Sequence, residues 1–168
     1  MSCIHRPPPQ NISPTQWWMP PYNDFVKVNV DASWKQGMDV ARVGIIIRRA
    51  DRSFLAGFSG QTNASSSVAV ETLAIMEGCK FALHEGLNNV IIEFDSRKAI
   101  SSVHGSIARG RWQLYPFPKT IRLFFSNFHQ CYWSWIPRTV NLAVDHLTKL
   151  SSSRMCSFFW VDRPPHPL

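Results

Sequence analysis

A helix-patterned stretch stands between strand-patterned ones, and that order restricts the fold more than any other feature of the chain. Glu71, Ala74, Ile75, Gly78 and Ala82 recur at helical spacing within residues 67–85. Ser67 is placed to cap the start of this helix and Gly86 its end. Before it, Val26, Val28 and Val30 alternate with Lys27, Asn29 and Asp31, the period of a strand. Strands are expected next over about 41–49 and 54–60. They are joined by the turn Ala50-Asp-Arg-Ser53, so the first three strands form an antiparallel meander. The apolar run over residues 88–95 is a fourth strand, and a helix between strands three and four requires a parallel crossover. A short helix at 97–103, capped by Ser96, and a longer one at 118–128 lead to a fifth strand at 131–136. The last helix covers about 141–150. The expected fold class is α/β: a five-stranded mixed sheet, three strands antiparallel and two parallel, flanked by helices.

The ends read differently from the middle. Residues 1–24 contain Pro7 to Pro9, Pro14, Pro20 and Pro21, which oppose regular helix and central strand. This segment is expected to be a tail or linker, with Trp17 and Trp18 either pinning it to the domain or stacking on bases. Residues 25–150 form the expected domain, and 151–168 a C-terminal tail. No apolar run approaches the roughly 20 residues that span a bilayer. The start, Met1 to Pro9, has no apolar signal core, which points to an intracellular protein, nuclear or cytoplasmic. Four cysteines without close pairing fit reduced thiols there.

Charge narrows the partners. The chain carries 18 basic and 11 acidic residues, a net +7, which favours a polyanion because phosphate neutralisation dominates nucleic-acid affinity. Acids are scarce, so acids inside apolar segments require an explanation. Asp31 lies in the first strand, Glu71 in the helix stripe that faces the sheet, and Asp95 at the C-terminal end of the fourth strand. Asp145 lies early in the last helix. Open α/β sheets place ligands at such strand ends. Carboxylates at a core edge are costly without a cation. Two divalent ions would neutralise them, and such pairs serve phosphodiester hydrolysis.

In this order the pieces Val26-Lys-Val-Asn-Val-Asp-Ala-Ser33, Val43-Gly-Ile-Ile-Ile-Arg-Arg49, Glu71-Thr-Leu-Ala-Ile-Met-Glu-Gly78, Ile92-Glu-Phe-Asp-Ser96 and Pro137-Arg-Thr-Val-Asn141 with Asp145 resemble a known family. It is the ribonuclease H-like superfamily, and within it the plant reverse-transcriptase-associated domain. The resemblance spans roughly Phe25 to Leu150. It implies a monomeric, Mg²⁺-dependent endonuclease, for which Mn²⁺ could substitute, cutting the RNA strand of RNA–DNA hybrids. Asp31 would be shared by two metal ions, Glu71 and Asp95 would complete the first site, and Asp145 would help hold the second. Ala32, Ser33, Arg138 and Asn141 are the implied substrate contacts, although Asn141 also suits the N-cap of the last helix.

The chain departs from the family pattern in places. Trp135 stands where plant relatives often have His, and residues 137–140 lack the His that many cellular relatives carry before the last helix. His146 follows Asp145 but should point about 100° away from it. The nearest candidate for a basic hybrid-binding protrusion is Arg109, Arg111 and Trp112, with Lys119 beyond. No polymerase segment accompanies the domain, so an isolated domain or gene fragment is expected. An active nuclease, an inactive nucleic-acid-binding remnant and a structural interaction domain all remain open here.

Overall fold

The computed structural model describes residues 17–22, 24–99, 116–150 and 158–163, apart from the side chains of 68, 116–119 and 150. The strands are β1 (Val26–Ser33), β2 (Val40–Arg48), β3 (Phe54–Asn63), β4 (Asn89–Phe94), β5 (Gln130–Trp135) and β6 (Phe158–Val161). The helices are α1 (Ser67–His84), α2 (Pro116–Phe125) and α3 (Leu142–Leu150), with a 3₁₀ turn at Arg138–Val140 before α3. Residues 97–99 are helical and Ser96 Oγ accepts from the Ala99 amide, as a cap should. The remainder of the expected 97–103 helix, and the Arg109–Trp112 segment, lie outside the described residues.

The sheet order is β5-β4-β1-β2-β3-β6. The β1–β2–β3 meander is antiparallel, and β4 and β5 are parallel to β1, as expected from the helix that intervenes. The sixth strand is a correction. Four residues of the expected C-terminal tail pair antiparallel with β3, from Ala56↔Val161 to Ser59↔Phe158. Phe159 packs on Phe58 and Phe81, with ring centroids 4.9 and 5.9 Å away. That apolar contact gives this short strand a reason to dock.

α1 covers one face of the sheet, over Val28, Val30, Val43, Ile45 and Ile47, all buried. Gly78 permits this, since a Cβ there would lie 2.6 Å from Val30 Cγ1. The α1 N-cap is Ser66, whose side chain accepts from the Ala69 amide, one residue before the expected Ser67. Gly86 follows the helix at φ 72°, a conformation open to glycine. α3 packs on the opposite face, where Val144 and Leu147 meet Ile46. Gly44 lets α3 approach, because a Cβ there would meet Thr148 Oγ1. Gly44 is the partner of Asp31 in the β1–β2 register, so α3 comes to rest beside Asp31.

Candidate active site

β1 outruns its parallel neighbour. The β1–β4 pairing runs from Val26↔Val90 to Asn29↔Glu93. Asp31, Ala32 and Ser33 are paired with β2 but have no partner in β4. β4 ends at Phe94, and Asp95 follows directly. The notch beside Asp31 is therefore lined by the end of β4, the first half of α1 and the start of α3.

All four sequence-predicted acids gather electrostatically around this notch. Asp31 is 4% exposed. Burial pushes its carboxyl up to about 6, with Asp95 and Asp145 adding to the rise and a Thr148 hydrogen bond and Arg138 opposing it. Glu71 is pushed up to about 8, first by burial and then by Asp31 and Asp95. Burial also raises Asp95, with a contribution from Asp145, against the opposing effects of Arg138 and the Asn141 side chain. Asp145 behaves otherwise. Burial raises it, but hydrogen bonds from Lys149 and Arg138 outweigh that and hold it below the usual carboxylate range. Lys149 Nζ donates to Oδ2 at 2.5 Å and Arg138 Nη2 to Oδ1 at 3.0 Å.

The gathering stops short of a closed metal cage. Among the described residues no three Asp, Glu, His or Cys side chains stand close enough to hold an ion as they are. The physical reason is at hand: uncompensated carboxylates repel one another, and both oxygens of Asp145 are engaged by cations. The donor set nevertheless suits a hard divalent cation, which takes oxygen ligands. Asp95 Oδ2 is buried without a hydrogen-bond partner, an orphan acceptor beside other carboxylates. A cation there would satisfy it and neutralise its neighbours.

The other predicted residues divide. Arg138 is on the rim, its side chain 71% exposed and tethered to Asp145. Ala32 is half-buried and Ser33 exposed at the open end of β1. Asn141 is buried, and its side chain does not cap α3. Its Nδ2 donates to the Val30 carbonyl at 3.0 Å and its Oδ1 accepts from Asn29 at 3.2 Å, so the amide ties the α3 turn to β1. His146 is exposed.

Trp135 has a role that the sequence did not reveal. Its indole N–H donates to the Asp95 carbonyl at 3.0 Å, and the Arg97 guanidinium stacks on its ring at 4.4 Å. Trp135 thus fixes the turn that carries Asp95. Residues 29–151 match the family model described as reverse transcriptase-like. The chain belongs to this reverse transcriptase-like family, within the ribonuclease H-like superfamily.

Solved structures agree on the fold. Ribonuclease H1 from the halophilic archaeon Halobacterium salinarum is 18% identical at TM-score 0.65, covering 74% of this chain and 95% of that one. The N-terminal ribonuclease H domain of a Mycobacterium tuberculosis protein is 22% identical at TM-score 0.62, covering 76% and 92%. LC11-RNase H1, solved in complex with an RNA/DNA hybrid, is 14% identical at TM-score 0.59, covering 74% and 94%. No curated protein sequence matches the chain. No helix among the described residues is long and apolar enough to cross a membrane.

Proposed function

We propose that this domain is a divalent-metal-dependent nuclease that hydrolyses the RNA strand of RNA–DNA hybrids. The observation that carries the reading is the notch itself: Asp31, Glu71 and Asp95 with raised proton affinities around an orphaned, buried Asp95 Oδ2. Asp31, Glu71 and Asp95 would hold one Mg²⁺ or Mn²⁺, and Asp31 with Asp145 a second. When bound, such ions supply Lewis-acid stabilisation to a phosphodiester and lower the pKa of water. The chain's own groups supply the rest. Arg138 presents an exposed guanidinium at the rim, suited to a phosphate. The free edge of Ala32 and Ser33 offers backbone groups to 2′-hydroxyls, the feature that separates RNA from DNA. Glu71 keeps its carboxyl proton near neutral pH until positive charge arrives. The bound hybrid of LC11-RNase H1 and the +7 charge support the choice of partner.

A second reading, binding without cleavage, is favoured by one observation. Arg138 and Lys149 already neutralise Asp145, which weakens any second cation position. Incubation of the chain with a labelled hybrid, with and without Mg²⁺, separates the readings. Cleavage of the RNA strand only in Mg²⁺ is expected, and binding without cleavage at any Mg²⁺ or Mn²⁺ level overturns the nuclease.

Affinity for the hybrid should fall steeply with salt and vary little with base sequence, because phosphate contacts dominate. A titration across salt concentrations on two unrelated hybrids reads this; strong preference for one sequence at fixed salt contradicts it. Trp135→Phe should slow cleavage about five-fold, the rate equivalent of one hydrogen bond of about 1 kcal/mol, while the melting temperature changes little. An unchanged rate would remove Trp135 from the positioning of Asp95.

A further inference from the structure

The face of β1 that carries Asp31 also carries Lys27 and Asn29, and all three are buried. Lys27 Nζ lies 2.6 Å from Glu93 Oε1, with the side chains 5% and 3% exposed. The other Glu93 oxygen accepts from Asn29 Nδ2 at 2.8 Å and from the Trp18 indole N–H at 3.0 Å. Arg48 donates to Asn29 Oδ1 at 2.8 Å and stacks 3.6 Å from the Trp18 ring centre. Asn29 Nδ2 also reaches Asn141 Oδ1, and Asn141 returns a hydrogen bond to the Val30 carbonyl, the peptide next to Asp31.

This is an unbroken path from the N-terminal segment to the joint between β1 and the α3 turn. Its form is informative. A buried Lys–Glu pair costs about as much in desolvation as it returns in attraction, so it is a poor device for stability alone. A connected polar network, here with only Arg48 Nε left unpartnered among its described atoms, is a good device for fixing a geometry. The Asn29–Asn141 link sets how the turn bearing Arg138 and leading to Asp145 meets the strand bearing Asp31. The family match begins at residue 29, so Trp18 and Lys27 lie outside it.

We propose that Trp18 and Glu93 are positioning residues, which hold Asn29 against Asn141 and thereby set the placement of Asp31 relative to Asp145. Residues 17–22, around Trp18, are then a working part of the site. The proposal rests on the nuclease reading for its consequence in cleavage, but its geometric content can be read without it.

The test uses the full chain and Trp18→Phe, which keeps a ring under Arg48 and removes the indole N–H. Glu93→Gln is a second, harsher variant. Three quantities are measured well below the melting temperature: amide NMR shifts, Mn²⁺ affinity in the absence of nucleic acid, and the separate kcat and KM for a hybrid. In Trp18→Phe the Asn141 side-chain amide and the backbone amides of Asp31 and Asp145 should shift. Mn²⁺ affinity and kcat should each fall about five-fold with KM unchanged, the scale of one lost hydrogen bond. Glu93→Gln should exceed it in all three. If the Asp31, Asn141 and Asp145 resonances stay in place in both folded variants, the proposal is overturned, whatever the enzyme does. If they shift but the parent chain neither binds Mn²⁺ nor cleaves, the positioning holds and the nuclease reading is the one that fails.

Discussion

Asp31→Asn will abolish hybrid cleavage in Mg²⁺ and will leave the metal-free protein at least as stable as the parent. Asn has nearly the same shape but no charge, and it is a poorer ligand for a hard cation. A bound cation supplies several kcal/mol of charge stabilisation. At about 1.4 kcal/mol per tenfold in rate, its loss slows cleavage by more than roughly a hundred-fold. The stability half follows from Asp31 being 4% exposed with its carboxyl pushed up to about 6. At neutral pH without metal, the parent must bury an anion beside Asp95 and Asp145; the variant need not. Melting curves in chelator at neutral pH and cleavage assays in Mg²⁺ read the two halves. Undiminished cleavage takes Asp31 out of the site. A clearly lower melting point in chelator makes it an acid the fold requires.

The second large effect is on pH. In chelator, the melting temperature should fall as pH rises from about 5 to about 8, and Mg²⁺ should oppose that fall. The sign follows from the direction of each shift. Glu71 goes from an ordinary 4.5 to about 8 and Asp31 from 3.8 to about 6 on folding. The folded state therefore binds their protons more tightly than the unfolded chain. Their contribution is fully present below the unfolded values and is lost as pH rises through the folded ones, at about 1.4 kcal/mol per tenfold difference in proton affinity. Asp95 acts in the same sense. Asp145, held low by Lys149 and Arg138, acts in the opposite sense but only at the acid end, where it loses its contribution as pH falls. Cations bind the deprotonated carboxylates, so Mg²⁺ should stabilise most at high pH. A chelated protein whose melting temperature is flat or rises between pH 5 and 8 would contradict the crowding of acids in the notch.

Much of the frame was legible in the chain. The alternation of Val26, Val28 and Val30 marks β1, and the helix-spaced Ala74, Ile75, Gly78 and Ala82 mark the face of α1 that meets the sheet. Parallel pairing of β4 to β1 follows from that intervening helix. The acids were singled out by their order and by the apolar segments that carry them: Asp31 within β1, Glu71 in the first half of α1, Asp95 just past β4 and Asp145 early in α3. What was not legible depends on partners distant in sequence. Glu93 reads as one polar residue in an apolar strand, and only the fold shows Lys27, Asn29 and Trp18 converging on it. A signal was present: three polar side chains on one face of a central strand have to find partners. Asn141 has the residue type and place of an N-cap, but its capping oxygen, Oδ1, accepts from the Asn29 amide instead, while its Nδ2 donates to the buried Val30 carbonyl. β6 is four residues long, too short for periodicity to declare it, and its pairing depends on the exposed edge of β3 and on Phe58.

That last strand bears on how the chain is made. β3 acquires its outer neighbour from residues synthesised much later. Arg49, just past β2, bonds to Asp162, 113 residues further along, and the Asp162 amide closes on the Leu55 carbonyl at 2.8 Å. During translation the meander emerges early with both hydrogen-bonding edges bare; β4 later covers that of β1, which leaves the β3 edge, the kind of edge that recruits other strands. It stays bare on the ribosome until residues 158–161 have cleared the exit tunnel. The native edge is therefore closed late and across a large sequence separation, a slow type of contact to form. Between those two moments, protection of the nascent sheet falls to whatever meets it outside the tunnel.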